Sequence, residues 1–177
     1  MVQGALRATA EAPGLAGVWT AAPGQALARI HLLAAKDLAA GQRGPAGAVE
    51  ALGRPREGID RARFDQLLRL AVAHTAAPAV VVAALVHAEL AAIAPFGLAD
   101  GVTARAAERV VLVARGVDTM AVSVPEAGHA DLGRAYRPLL EAYATGTSDG
   151  VGAWLRHCCE AYARGADEGI AICRSLT

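Results

Sequence analysis

Residues 78–94 read PAVVVAALVHAELAAIA, and this segment is apolar on nearly every side. A helix with that pattern is surrounded by other helices, and a proline in the first turn costs no backbone hydrogen bond. His87 and Glu89 interrupt the apolar run, which favours a buried helix over a membrane span. The segment therefore predicts the central helix of an all-α bundle.

Further helices are predicted on both sides by apolar residues at helical spacing. We expect them near residues 27–40, 61–74, 100–116, 132–144 and 151–164, with Ile170 and Ile172 allowing the last to continue. Asp60 and Asp100 are the expected N-caps. The prolines and glycines of residues 1–26 predict an irregular lead-in, and those of residues 41–58 predict a loop or a short flap hairpin. The expectation is a six-helix bundle around a central helix–loop–helix.

Length and composition narrow the possible functions. The chain has 177 residues, 54% hydrophobic, with 17 basic and 17 acidic groups, so we expect one domain over 1–177 with its core in about 27–164. This balance fits neither a disordered polyelectrolyte nor a basic protein that binds duplex nucleic acid. Neither a nucleic-acid nor a membrane partner is expected. The odd count of three cysteines favours a reducing compartment, hence the cytoplasm.

Directly after the central helix, residues 94–105 read APFGLADGVTAR. This resembles a degenerate form of the Fic (Fic/Doc, fido-fold) motif, H-P-F-x-D/E-G-N-G-R-x-x-R, and the likeness covers roughly Leu27 to Tyr162. The resemblance implies a helical fold in which the motif spans a helix–loop–helix. It also implies the family's activity, which is transfer of AMP or a related phosphate-containing group from a nucleotide such as ATP with Mg²⁺ to a protein hydroxyl.

The motif positions that match are those of the scaffold and one phosphate clamp: Pro95, Phe96, Gly101 and Arg105. The positions that differ include most of the reactive ones. Ala94 stands for the general-base His, Leu98 for the metal-holding acid, Ala99 for a Gly, Asp100 for the Asn, and Val102 for the first Arg. A methyl group accepts no proton and an alkyl group offers no oxygen to a hard cation. By the family's route, activity should be negligible.

The resulting expectation is a pseudoenzyme that binds or regulates another protein, or a second copy of itself, with no cofactor, no metal and no catalytic residue. Because 54% of the residues are hydrophobic, a homodimer is expected. One alternative is an active nucleotide-dependent transferase with a rearranged site, in which Arg105 and the Gly101 helix start hold the donor and His129 acts as base. Another is a helical assembly module without a ligand site.

The remaining polar residues have two interpretations each. His87 is expected to be a hydrogen-bonded core histidine, and His129 a surface residue, unless it reaches the motif loop as a base. Arg105, Glu108 and Arg109 form either a solvated helix face or part of a retained anion site. Consecutive helical residues point about 100° apart, so His157, Cys158 and Cys159 are not expected to chelate one metal.

Overall fold

The computed structural model describes residues 2–40 and 47–176. Within those ranges the fold is all-α, as predicted, with eight α-helices, one 3-10 turn and no strand. The helices are α1 (Val2–Ala21), α2 (Pro23–Ala40), α3 (Arg61–Val72), α4 (Ala79–Ile93), α5 (Asp100–Ala114), α6 (Pro125–Asp131), α7 (Tyr136–Ala144) and α8 (Ser148–Ser175), with the 3-10 turn at Gly133–Ala135.

The predicted central helix–loop–helix is α4 and α5. Helix α4 packs against α3, α5, α7 and α8, while α5 packs against α1, α2 and α4. Eleven of the fifteen residues of α5 are buried, against eight of fifteen in α4. The second helix of the pair is thus the more enclosed one, although the sequence of α4 is the more apolar.

The expected irregular lead-in is wrong, because residues 2–21 form a complete helix. Its buried face carries small or apolar residues every three or four positions: Gly4, Ala8, Ala12, Leu15 and Trp19. The breakers Pro13, Gly14 and Gly17 lie on the exposed face. Packing of the buried face against α2 and α5 outweighs the low helix propensity of the exposed one.

Other boundaries also differ from those expected. Asp60 caps α3 as predicted, accepting the backbone N–H of Arg63 at 2.9 Å. Residues 125–131, expected as a loop, form the short helix α6, with Pro125 at its start. Helix α8 begins three residues earlier than expected and continues to Ser175. In the expected flap, residues 47–58 form turns and irregular backbone with no strand, and residues 41–46 lie outside the described part of the chain.

Helix α6 lies against α8 at backbone distance. The backbone N–H of Val124 donates to the carbonyl of Gly165 at 2.8 Å. A Cβ atom added to Gly128 would lie 1.9 Å from the carbonyl oxygen of Ala161, so only glycine fits there. This close approach places His129, the next residue of α6, beside His157 of α8.

We predict that Gly128→Ala destabilises the fold by at least about 1–3 kcal/mol, because the added methyl group meets backbone that cannot move without separating α6 from α8. Denaturant unfolding followed by circular dichroism measures this. Gly17→Ala is the matched control, since nothing lies within 4 Å of its added Cβ. The control should be neutral or gain about 0.5–1 kcal/mol, and equal effects of the two substitutions would contradict the close packing.

Candidate functional site

The motif loop, residues 94–99, joins α4 to α5 through two alanines in the left-handed region. The φ angles are 45° at Ala94 and 56° at Ala99. A left-handed backbone costs an L-residue other than glycine roughly 1–2 kcal/mol. Contacts with other segments must therefore hold the loop in this shape. Ala99 occupies the position at which the Fic motif has a glycine.

His31 of α2 is one of those contacts. Its Nδ1 accepts the backbone N–H of Gly53 at 2.9 Å, and its Nε2 lies 3.0 Å from the carbonyl oxygen of Leu98. Nδ1 is therefore unprotonated and Nε2–H is the donor. The imidazole also stacks on Phe96, with 4.1 Å between ring centroids. Burial lowers the pKa of His31, more than its bond to Leu98 raises it, which favours this neutral form.

The segment 47–58 covers the outer side of the motif loop. Arg56 donates from Nε to the carbonyl of Ala94 at 3.0 Å and from its backbone N–H to the carbonyl of Pro95 at 2.8 Å. Between this segment and the loop lies a cleft of about 220 Å³ whose walls include His31, Ala48 and Leu98. The segment is in the position of a flap, without a hairpin in its described residues.

The prediction that Asp100 is the N-cap of α5 is wrong, because its carboxylate binds the backbone of the motif loop from the first position of the helix. Ala99 is the N-cap residue, Asp100 is the first residue of the helix, and its Oδ1 accepts the backbone N–H of Phe96 at 2.9 Å. The carboxyl group also interacts with the backbone N–H of Gly97. Burial raises the pKa of Asp100, while these two N–H groups and Arg56 oppose the rise. Carboxylate oxygens thus occupy donors that a bound phosphate would need.

The other candidate residues on α5 have different surroundings in the structure. Gly101 is exposed, and Arg105 donates from a terminal nitrogen to the hydroxyl of Tyr136 at 3.4 Å. Arg109 is buried in an ion pair with Glu126 at 2.7 Å. Glu108 is also buried. The interpretation of residues 105–109 as a solvated face is therefore wrong for Glu108 and Arg109, because neighbouring helices cover α5 on almost all sides.

A second polar group lies in the core between α4, α5 and α6. His87 is fully buried, Glu108 is 1% exposed and His129 is 6% exposed. His87 Nδ1 lies 3.1 Å from Glu108 Oε1, and His129 Nε2 lies 3.9 Å from Glu108 Oε2. We call these three side chains the core triad. His87 is the hydrogen-bonded core histidine that was predicted, whereas the surface interpretation of His129 is wrong because α6 turns its ring inward against α8.

Each member of the core triad has a partner on its outer side. His87 Nε2 lies 2.6 Å from the hydroxyl of Tyr136, and His129 Nδ1 lies 3.0 Å from His157 Nε2. The hydroxyl of Tyr162 donates to Glu108. Trp154 closes one side, with its ring 5.1 Å from that of His87 and 6.1 Å from that of His129. The ring orientations in the triad are therefore set by surrounding contacts.

Burial changes the ionisation of this region. Burial alone would raise the pKa of Glu108, but attraction by His87 and His129 outweighs burial and holds that pKa well below 4.5. Burial and the neighbouring Glu108 raise the pKa of Cys158, so its thiol is protonated and unreactive. Of the three free cysteines, Cys158 is buried and the other two are exposed.

No role was predicted for His31 from the sequence, and the three members of the core triad were not predicted to lie together. The signal available was a polar residue within an apolar helix, at His31 and at His87. Such a residue predicts a satisfied core group, but not the segment that satisfies it. His87 and Glu108 are 21 residues apart, as are Glu108 and His129. Helical periodicity does not predict that these three side chains come together.

No protein-family model, curated protein or solved structure matches the chain. The likeness to the Fic family therefore depends on the motif residues themselves. Among the described helices, none combines the length and apolar character needed to cross a bilayer.

We predict that His31→Ala costs about 1–3 kcal/mol of stability, because it removes the stack on Phe96 and leaves the N–H of Gly53 and the carbonyl of Leu98 unpaired. It should also weaken the acid sensitivity of folding. Folded His31 has a pKa below 6.5, so the unfolded state binds more protons as the pH falls below that value. Wild-type stability is therefore lost as the pH falls from about 6.5, and restored above it.

Urea unfolding at several pH values between about 7.5 and 5.5 measures both effects. His74→Ala is the control, since His74 is exposed. If His31→Ala and wild type lost stability in parallel on acidification, the assigned protonation state of His31 would be wrong.

Proposed function

We propose that this protein is a degenerate Fic-like protein that acts by protein binding, with a second copy of its own chain as the partner, and does not transfer nucleotide. The observation that carries the proposal is the position of Asp100. Its carboxyl group takes the backbone N–H of Phe96 at 2.9 Å and faces that of Gly97, at the start of α5. A helix start that holds its own carboxylate repels a phosphate from the site at which an active motif would bind one.

The shape of the motif loop supports the Fic-like part of this proposal. Two helices meet at a tight loop, and the backbone is left-handed at Ala99, where the family motif has glycine. The loop therefore keeps a glycine-type conformation without the glycine.

The contacts of Arg105 and His129 argue against the rearranged transferase. Arg105 is engaged with Tyr136. His129 is 6% exposed and lies between Glu108 and His157. A general base must come within hydrogen-bond reach of the attacking hydroxyl. A histidine enclosed in the core does not offer that reach to a protein substrate.

The partner that we propose is a second copy of the chain, bound through an apolar groove lined by Leu112, Val117, Val122, Tyr162 and Ile170. The groove encloses about 250 Å³. Val117, Val122 and Ile170 are 57%, 43% and 48% exposed, although all three are apolar. The formal net charge of zero means that two copies do not repel each other. Self-association would remove this apolar surface from water.

We predict that ATP, CTP and GTP, with or without Mg²⁺, leave the melting temperature of the wild type unchanged, because Asp100 occupies the anion site. A ligand at about 100 times its Kd would add roughly 2.7 kcal/mol of stability. The variant Ala94→His, Leu98→Asp, Asp100→Asn restores the base, the metal ligand and the neutral amide, and should gain Mg·ATP-dependent stabilisation. Val102 stays unchanged because it is 7% exposed and packs in the core.

Asp100→Glu is the control. Because it keeps the acidic group, nucleotide should leave its melting temperature unchanged. Saturable stabilisation of the wild type by any of the three nucleotides would overturn the proposal.

We predict a dimer mass for the wild type in light scattering at micromolar concentration. Ile170→Lys should shift the protein to monomer, because it places a charge in the apolar groove. Val49→Lys is the matched control, since Val49 is 51% exposed in the segment beside the motif loop. A monomeric wild type, or equal dissociation by both substitutions, would contradict self-association through the groove.

A further inference from the structure

The core triad brings three metal-ligating side chains from three helices to one point. One ligand atom from each of His87, Glu108 and His129 lies within 4.8 Å of the other two. Zinc binds imidazole nitrogen and carboxylate oxygen at about 2.0–2.2 Å, so ligand atoms around one ion are separated by roughly 3–4 Å. His87 Nδ1 lies 3.1 Å from Glu108 Oε1, and His129 Nε2 lies 3.9 Å from Glu108 Oε2, so each imidazole faces one oxygen of the same carboxylate at about this separation.

Each of the two imidazole rings, His87 and His129, has one nitrogen that faces Glu108. His87 Nδ1 and His129 Nε2 are buried and form no hydrogen bond of regular geometry, although they lie 3.1 Å and 3.9 Å from the Glu108 carboxylate. Buried polar atoms without a partner are rare and call for an explanation such as an ion. In contrast, the outward nitrogens of both rings are paired, with Tyr136 and with His157. Both rings therefore direct their unpaired atom toward the same carboxylate.

The surroundings match the arrangement that supports metal ligands in proteins. A ligating histidine usually donates its other N–H to a neighbouring group, which fixes the tautomer and the orientation of the ring. Tyr136 is the hydrogen-bond partner of the outer nitrogen of His87, and His157 is that of His129. The Tyr162 hydroxyl donates to Glu108. The fully buried Trp154 forms an apolar wall beside both imidazoles.

From this geometry we propose that His87 Nδ1, the Glu108 carboxylate and His129 Nε2 form a binding site for one divalent transition-metal ion. Two imidazoles and one carboxylate are the donor set of zinc, and also suit Co²⁺, Ni²⁺ and Fe²⁺. Mg²⁺ and Ca²⁺ prefer an all-oxygen shell and are excluded by the two nitrogens. The ion would join α4, α5 and α6 at the centre of the fold. This site is separate from the motif loop and does not depend on the function proposed above.

The first experiment uses the full chain after treatment with EDTA. Zn²⁺, Co²⁺, Ni²⁺ or Fe²⁺ is titrated past one equivalent, bound metal is counted by elemental analysis after unbound metal is removed, and Co²⁺ is followed by its visible absorption. We expect saturation at one ion per chain, a raised melting temperature, and quenching of Trp154 fluorescence by Co²⁺ because the indole lies 5.1 Å from His87. Mg²⁺ should have none of these effects.

Variants locate the site. His129→Gln removes a ligand and should weaken Co²⁺ binding about 100-fold or more, whereas His157→Phe removes only the outer partner and should weaken it about 10–100-fold. His74→Gln is the control, because His74 is exposed, and should bind as the wild type does. Circular dichroism checks that each variant folds.

A measurement on the wild type alone covers the case in which the ligand variants do not fold. Long-range nitrogen–proton NMR spectra should show that Zn²⁺ shifts His87 Nδ1 and His129 Nε2, and leaves His31 and His74 unchanged. The proposal is overturned if the EDTA-treated chain takes up none of the four transition metals at one equivalent. It is equally overturned if the bound ion shifts only exposed histidines, or if His129→Gln binds as tightly as His74→Gln.

Discussion

The carboxylate of Glu108 sets the strictest requirement in this fold. It is 1% exposed, at the centre of the most enclosed helix, and taking an acidic group out of water costs several kcal/mol unless other groups compensate it. Among the described residues, its ion-pair partners are His87 and His129, and the Tyr162 hydroxyl donates to it. These partners come from α4, α6 and α8, so compensation of one buried acid requires these three helices to bring their side chains to the same point of α5.

The two ends of this arrangement lie on the same helix. Asp100 is the first residue of α5, and Glu108 follows eight residues later, about 12 Å along the axis at 1.5 Å per residue. At the first position an acidic side chain binds the backbone N–H groups of its own loop. At the second an acidic side chain faces imidazoles. Helix α5 thus carries one acidic side chain at its start, beside the motif loop, and a second in the core.

The sequence predicted the helical class, the central helix pair and the Asp60 cap, because these follow from local apolar periodicity and capping chemistry. It failed at α1, where three breakers concealed a buried stripe of small residues on the opposite face. It failed again at α6, where a seven-residue helix depends on the close contact of Gly128 with α8. Both errors have one cause, since tertiary packing there outweighs local propensity.

For the candidate site, the sequence singled out residues 94–105, and the structure places them in the loop between α4 and α5 and in the first turns of α5. It did not predict that His31 would join α2, the segment 47–58 and the motif loop, nor that His129 and Glu108 would meet in the core. Such contacts depend on how the helices are placed relative to one another. A single sequence carries no direct signal for that placement.

The left-handed alanine at position 99 also affects which substitutions this loop can accept. Neighbouring side chains hold the backbone in this conformation without a glycine at position 99. Alanine and glycine codons differ by one base, so a single nucleotide change would place the permissive residue there without moving the backbone. The residue at this position can therefore change in evolution while the turn keeps its conformation.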